Sequence, residues 1–185
     1  KQGFNIKTPI NLKLQNLASA SLRKGLINYD KRKGWRGPLD NRKNNDWNKN
    51  LEKFSLEKSI DWQIAIVKRI DKFETVIQTS NKETGIINYE DINWTRKNFN
   101  QILKVNDLIY VQKISEGIFS LRQLPNVNGG IVVMDPYSGR VLAMSGGFSF
   151  KKSEFNRVSQ AKRQPGSAFK PFIYALALEN NYTPS

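Results

Sequence analysis

The sequence predicts an α+β chain with a small five-stranded, OB-like β-barrel between an N-terminal helix and a C-terminal hairpin and helix. Three observations carry this. Apolar residues follow helical spacing over residues 11–29, the period changes to two over residues 60–124, and a hairpin then leads to an almost unbroken apolar run at residues 169–178.

In chain order, Leu14, Leu17, Ala18, Leu22, Leu26 and Tyr29 mark one face of a helix, with Asn11 placed to cap its N-terminus. Residues 30–50 are basic and carry Gly34, Gly37 and Pro38, then an Asn/Lys/Asp-rich tract at 39–50. They read as a loop laid across a neighbouring surface through Trp35 and Trp47. Trp62, Ile64, Ile66 and Ile70 then alternate with Gln63 and Arg69, and short runs at 73–79, 85–89, 107–114 and 117–124 continue the pattern. Five short strands in so few residues suggest a small barrel, and the OB-fold is the commonest five-stranded form. SH3-like barrels share the count, and a plain half-buried sheet gives the same alternation. Past Pro125, residues 131–134 and 141–144 form a hairpin around Asp135-Pro136-Tyr137-Ser138-Gly139-Arg140, in which proline presets the turn and Gly139 accepts positive φ.

Composition narrows the chemistry. The 185 residues suffice for one domain or two small ones, and 30 Lys+Arg against 16 Asp+Glu give a net charge of +14. Such a charge favours anionic partners, yet it also follows from a Lys/Asn/Ile-rich composition. The sequence has no cysteine and no histidine, so disulfides, thiolate or imidazole metal sites and Ser-His-Asp catalysis are excluded. Lysine is left as the natural base for a serine nucleophile. No run approaches the length of a transmembrane helix, and no signal peptide opens the sequence at Lys1. It reads as an internal piece of something longer.

Five Ser-x-x-Lys pairs occur: Ser21/Lys24, Ser55/Lys58, Ser149/Lys152, Ser159/Lys162 and Ser167/Lys170. On a helix such a pair shares one face, the geometry a hydroxyl nucleophile and its base require. A lysine acting as base must be neutral, so its surroundings have to be dry or cationic. The first four pairs lie in polar surroundings. Ser167 alone follows a Pro-Gly turn and opens the apolar run that includes Phe169, Phe172, Ile173, Tyr174, Leu176 and Leu178. That run predicts a buried helix with Ser167 at its N-terminus, where free N–H groups favour developing negative charge. Pro171 predicts an irregular first turn.

Several segments together resemble class A penicillin-binding proteins. Gly129-Gly130-Ile131-Val132-Val133-Met134-Asp135-Pro136, then Gly139-Arg140-Val141-Leu142-Ala143-Met144 with Gly146-Gly147, Phe155-Asn156-Arg157 and Gln164-Pro165-Gly166-Ser167-Ala168-Phe169-Lys170-Pro171-Phe172 resemble the start of the transpeptidase domain. Tyr29-Asp30, Gly34-Trp35-Arg36-Gly37-Pro38 and residues 10–15 resemble the junction before it in the 1A type, where an OB-like insertion separates the two. The resemblance implies a division into residues 1–54 (linker and first helix of the transpeptidase region), 55–125 (the insertion) and 126–185 (an incomplete transpeptidase domain). It implies peptidoglycan synthesis at the periplasmic face of the bacterial inner membrane, by a parent with a membrane anchor and a glycosyltransferase domain. Ser167 is then the acyl-ester nucleophile, with its N–H in the oxyanion hole, and Lys170 the general base. Stem peptides and β-lactams are the implied ligands, no cofactor or metal is implied, and residues 55–125 are a docking site for a regulatory lipoprotein or other wall-synthesis partner. The family's Ser-x-Asn and Lys-Thr-Gly motifs do not occur, so this segment alone is expected to be inactive.

The competing reading is a basic module without catalysis, binding nucleic acid or a partner protein. In it Trp62, Phe73, Tyr89, Trp94, Tyr110 and Phe119 stack bases on the barrel while lysines track phosphates. Those aromatics serve equally as barrel core, and nucleic acid is the less favoured partner.

Overall fold

The computed structural model describes residues 3–42 and 47–184. Its first element is α1 (Leu12–Lys31), capped where the sequence places the cap: the Asn11 side chain accepts the Leu14 N–H at 3.1 Å. Four residues of the predicted 39–50 loop, 43–46, lie outside the described residues. Those on either side lie against the barrel. Trp47 packs with Ile66 and Leu108, and Trp35 abuts the main core while its indole N–H donates to the Ile102 carbonyl at 3.0 Å. Between them a two-residue strand, β1 (Asp40–Asn41), pairs with the edge of a barrel strand, which alternation could not announce.

The barrel strands are β2 (Gln63–Ile70), β3 (Glu74–Thr79), β4 (Thr84–Asn88), β5 (Asp107–Ser115) and β6 (Ile118–Arg122). Each of the five period-two runs became a strand. β2 pairs with β3, β3 with β4, β4 with β6, β6 with β5 and β5 with β2, so the ring closes and the half-buried open sheet is excluded. Closure comes through a parallel β4–β6 pairing, with Ile86 opposite Ile118 and Ile87 opposite Phe119. Inward-facing Ala65, Val67, Ile77, Ile87, Ile109, Val111, Phe119 and Leu121 fill the interior. The Phe119 ring occupies space that Gly85 vacates: a β-carbon there would lie 2.5 Å from the ring.

The longer stretch between β4 and β5 holds a 3₁₀ helix (Tyr89–Thr95) and a single turn, α2 (Phe99–Ile102), with a capping box of Asn98 and Gln101. Ile92, Phe99, Ile102 and Leu103 from this stretch join the barrel core. Short helices of this kind carry too few turns for a periodic signal.

Beyond the barrel, β7 (Ile131–Met134) and β8 (Val141–Ser145) form the expected hairpin, with Gly139 at φ +67°. α1 packs on this hairpin, although more than a hundred residues separate them in sequence. The free edge of β8 is satisfied by α1: Asn11 N–H donates to the Leu142 carbonyl at 2.8 Å. The Gln15 amide both donates to the Met144 carbonyl (2.8 Å) and accepts its N–H (2.9 Å), mimicking a neighbouring strand. The barrel therefore interrupts a unit made of α1 and the hairpin.

Candidate active site and the units that carry it

The chain beyond β8 runs through a loop to Pro165, a 3₁₀ turn (Gly166–Phe169) and α3 (Lys170–Glu179). Gly166 takes φ +54°, a conformation that suits glycine, and the reversal delivers Ser167 to the outside of the turn. In a 3₁₀ turn residues three apart eclipse one another, so Ser167 and Lys170 share one side even though the α-helix begins only at Lys170. The Lys170 N–H donates to the Ser167 carbonyl. The irregular first turn expected from Pro171 is present, with that proline at the helix start.

The predicted burial is not observed. Ser167 and Lys170 are exposed, and α3 shows Phe172 (68%), Tyr174 (61%) and Leu176 (61%) to solvent. Apolarity on all sides fixes what the helix needs, not where the covering surface comes from, and none of the described residues supplies it. Phe169 and Phe172 pack on each other, with ring centroids 5.6 Å apart. No side-chain hydrogen bond joins Ser167 to Lys170 among the described residues.

The rival Ser-x-x-Lys pairs are elsewhere. Ser149 is buried and donates to Glu57 at 2.6 Å, while the Lys152 ammonium donates to the Lys53 carbonyl at 2.7 Å. This pair fastens the loop after β8 to the segment entering the barrel, and burial holds Lys152 below the ordinary lysine range. Ser55 accepts from Lys151 at 3.4 Å in the same contact.

Two polar nodes hold the barrel against the α1–hairpin unit. At the first, Arg36 donates twice to the buried Asp30 carboxylate (2.9 and 2.9 Å) and once to the Leu124 carbonyl (2.7 Å). Gln123 and the Asn126 N–H donate to the same carboxylate at 2.9 and 3.1 Å. Burial alone would raise the pKa of Asp30, but the hydrogen bonds from Arg36, Gln123 and Asn126 and the Arg36 charge outweigh it, and the carboxyl titrates below its usual range. At the second node, Glu57 accepts from Ser149 and from the Phe150 N–H (2.5 Å), and Arg23 lies 4.0 Å away. Trp62 bridges the units in an apolar contact, 5.8 Å from the Tyr110 ring and 5.4 Å from Phe148. Nothing local in the sequence signals the closing contacts of these nodes, because Asp30 meets Gln123 and Asn126, and Glu57 meets Ser149, across dozens of residues.

Of the six aromatics offered as a base-stacking surface, Phe119 and Tyr110 are buried, and Tyr89 and Trp94 pack against the core. Trp62 is spent on the inter-unit contact, and Phe73 alone, at 69% exposure, faces solvent freely. The stacking platform therefore does not form.

Residues 35–127 match the family model described as the penicillin-binding protein OB-like domain, and residues 129–185 match the penicillin-binding protein transpeptidase domain. The chain belongs to the penicillin-binding proteins. Among relatives, penicillin-binding protein 1A of Rickettsia conorii is 40% identical over 99% of this chain and that of Pseudomonas aeruginosa 34% over 98%, each alignment spanning 24% of the relative. The crystal structure of penicillin-binding protein 1A from Haemophilus influenzae superposes with a TM-score of 0.78 at 32% identity, covering 93% of this chain and 26% of the other. The chain thus spans about a quarter of the length of the relatives it matches. The OB-like description decides between the two barrel types that strand count left open. No helix of the described residues is long and apolar enough to cross a membrane.

Proposed function

We propose that this penicillin-binding protein segment carries the nucleophile and base of a D-Ala-D-Ala transpeptidase, Ser167 and Lys170. One observation supports the reading above others: within the stretch matching the transpeptidase family, a 3₁₀ turn sets an exposed serine and a lysine on one side at the start of an apolar helix.

Lys170 takes the proton of the Ser167 hydroxyl as its oxygen attacks the carbonyl of the penultimate D-Ala. The oxyanion that forms is met by the Ser167 N–H, one of the first N–H groups of a helical turn and so without an intrahelical acceptor. Collapse breaks the C–N bond, terminal D-Ala leaves with the proton returned by Lys170, and an ester remains on Ser167. An amine of a second stem peptide then displaces Ser167. β-Lactams open on the same hydroxyl. The base needs dry surroundings, which a cover over α3 would provide.

In this reading the division is 1–54, 55–125 and 126–185, and the parent is a membrane-anchored peptidoglycan synthase with a glycosyltransferase domain, working on the periplasmic side of the inner membrane. The segment is inactive without the Ser-x-Asn and Lys-Thr-Gly motifs, and residues 55–125 dock an envelope partner such as a regulatory lipoprotein. The test is labelling by a fluorescent penicillin of a longer polypeptide that includes this segment and those motifs. Ser167→Ala is expected to abolish labelling and Lys170→Ala to slow it by about 10²–10⁴-fold. Undiminished labelling of Ser167→Ala overturns the proposal.

A further inference from the structure

Between α1 and the barrel lies a cleft of about 390 Å³, within the size range of small-ligand sites, and it contains neither Ser167 nor Lys170. The α1 wall contributes Arg23, Lys24 and Lys31, and the barrel wall contributes Arg122; among the described residues the sole carboxylate lining the cleft is Asp61. Ile60 and Trp62 add an apolar side.

Some cations of this chain are paired with carboxylates, as in Arg36–Asp30 and Lys113–Glu83. Here Lys24, Lys31 and Arg122 close no salt bridge among the described residues. Arg122 spends Nε on Gln112 (3.0 Å) and Nη1 on Ser120 (2.6 Å) and the Leu121 carbonyl (3.2 Å), which leaves Nη2 without an acceptor among the described residues. The Lys31 ammonium is held 5.4 Å from the Trp94 ring centroid and donates to no oxygen of the described residues. Arg23 is fixed by the Phe148 carbonyl and by Ser59. Burial lowers Lys31 and Arg122 from their ordinary values, and Arg122 lowers Lys31 further; Asp91 offsets both in part. Half-burying like charges with only partial counter-charge opposes folding, and perturbed groups of this kind cluster at binding sites.

We propose that this cleft binds a phosphate or diphosphate group, gripped from both walls by Lys24, Lys31 and Arg122, with the organic part of its ligand on Ile60 and Trp62. Lysine charges on one wall and a guanidinium on the other suit a tetrahedral oxyanion, whose oxygens point several ways, better than a flat carboxylate. Because the walls belong to different units, an occupant would also brace the barrel against α1. The inference does not rest on the role of Ser167.

The test is calorimetric titration of the 185-residue chain with inorganic pyrophosphate at low ionic strength, and sedimentation with phosphatidic acid vesicles. Saturable one-to-one binding is expected. Lys24→Glu, an exposed change that leaves packing intact, and Lys31→Gln should each weaken it about tenfold or more, the loss of a hydrogen bond to a charged group. Lys68→Gln, on an exposed β2 position outside the cleft, should leave it unchanged. Pyrophosphate binding alone assigns the site to a soluble phosphate; Lys24-dependent sedimentation that pyrophosphate reverses assigns it to a lipid-borne one. No saturable binding to either probe, or binding indifferent to Lys24→Glu, overturns the proposal.

Discussion

Asp30→Ala should loosen the whole molecule. The carboxylate accepts two N–H bonds from Arg36, one from Gln123 and one from the Asn126 backbone, and is 2% exposed. The substitution strands the guanidinium beside a void, with the Leu124 carbonyl as its remaining acceptor. Removing one partner of a buried ion pair costs about 3–5 kcal/mol. The Arg36 side chain is 30% exposed and can rehydrate, so the low end applies, about 3 kcal/mol. For a chain of this length that lowers Tm by about 6–12 °C, read from far-UV circular dichroism. The lowered pKa of Asp30 sets the pH window. The stabilisation is present above the unfolded-state value of about 3.9 and disappears as pH falls through the lower folded-state value. The gap between wild type and variant should therefore be constant from about pH 5 to 8 and shrink below about pH 4. A cycle with Arg36→Met should show coupling of at least about 1 kcal/mol. A shift under about 2 °C, or additive single changes, would refute the account of this node.

Glu57→Ala should cost about 1–2 kcal/mol by releasing Ser149 and the Phe150 N–H, and should speed proteolytic cleavage within residues 148–153. Burial acts to raise Glu57, but Ser149, the backbone donors and Arg23 leave it lowered, so this effect too fades at acidic pH. Gly85→Ala forces a methyl against the Phe119 ring and the Gly117 carbonyl, and urea denaturation should show a loss of about 1–3 kcal/mol. Burial pushes the Tyr110 phenol up to about 12, so an alkaline absorbance titration should show a late step that Tyr110→Phe removes. Because this acid is raised on folding, it stabilises below about pH 10, and that contribution is lost as pH climbs toward 12.

What could be read in advance was whatever repeats locally. Alternation gave all five barrel strands, Asn11 marked the start of α1, and Asp135-Pro136 with Gly139 located the hairpin turn. Trp35 and Trp47 were legible as anchors since a large aromatic in a polar tract seeks cover. The closing pair β4–β6, the strand mimicry of Gln15 and the shared carboxylate of Asp30 were not legible, being contacts between residues distant in sequence. At the candidate site, composition and turn residues singled out Ser167 and Lys170. The buried helix went wrong because hydropathy records a demand for cover without naming its source.

The Asn126 N–H reaching Asp30 means that the chain leaves α1 and returns toward β7 through one narrow neck. Everything between those points could be exchanged for a short connector while the helix still met its hairpin. The barrel is in that sense a cassette spliced between the helix and its hairpin, clasped to them at Asp30 and Glu57.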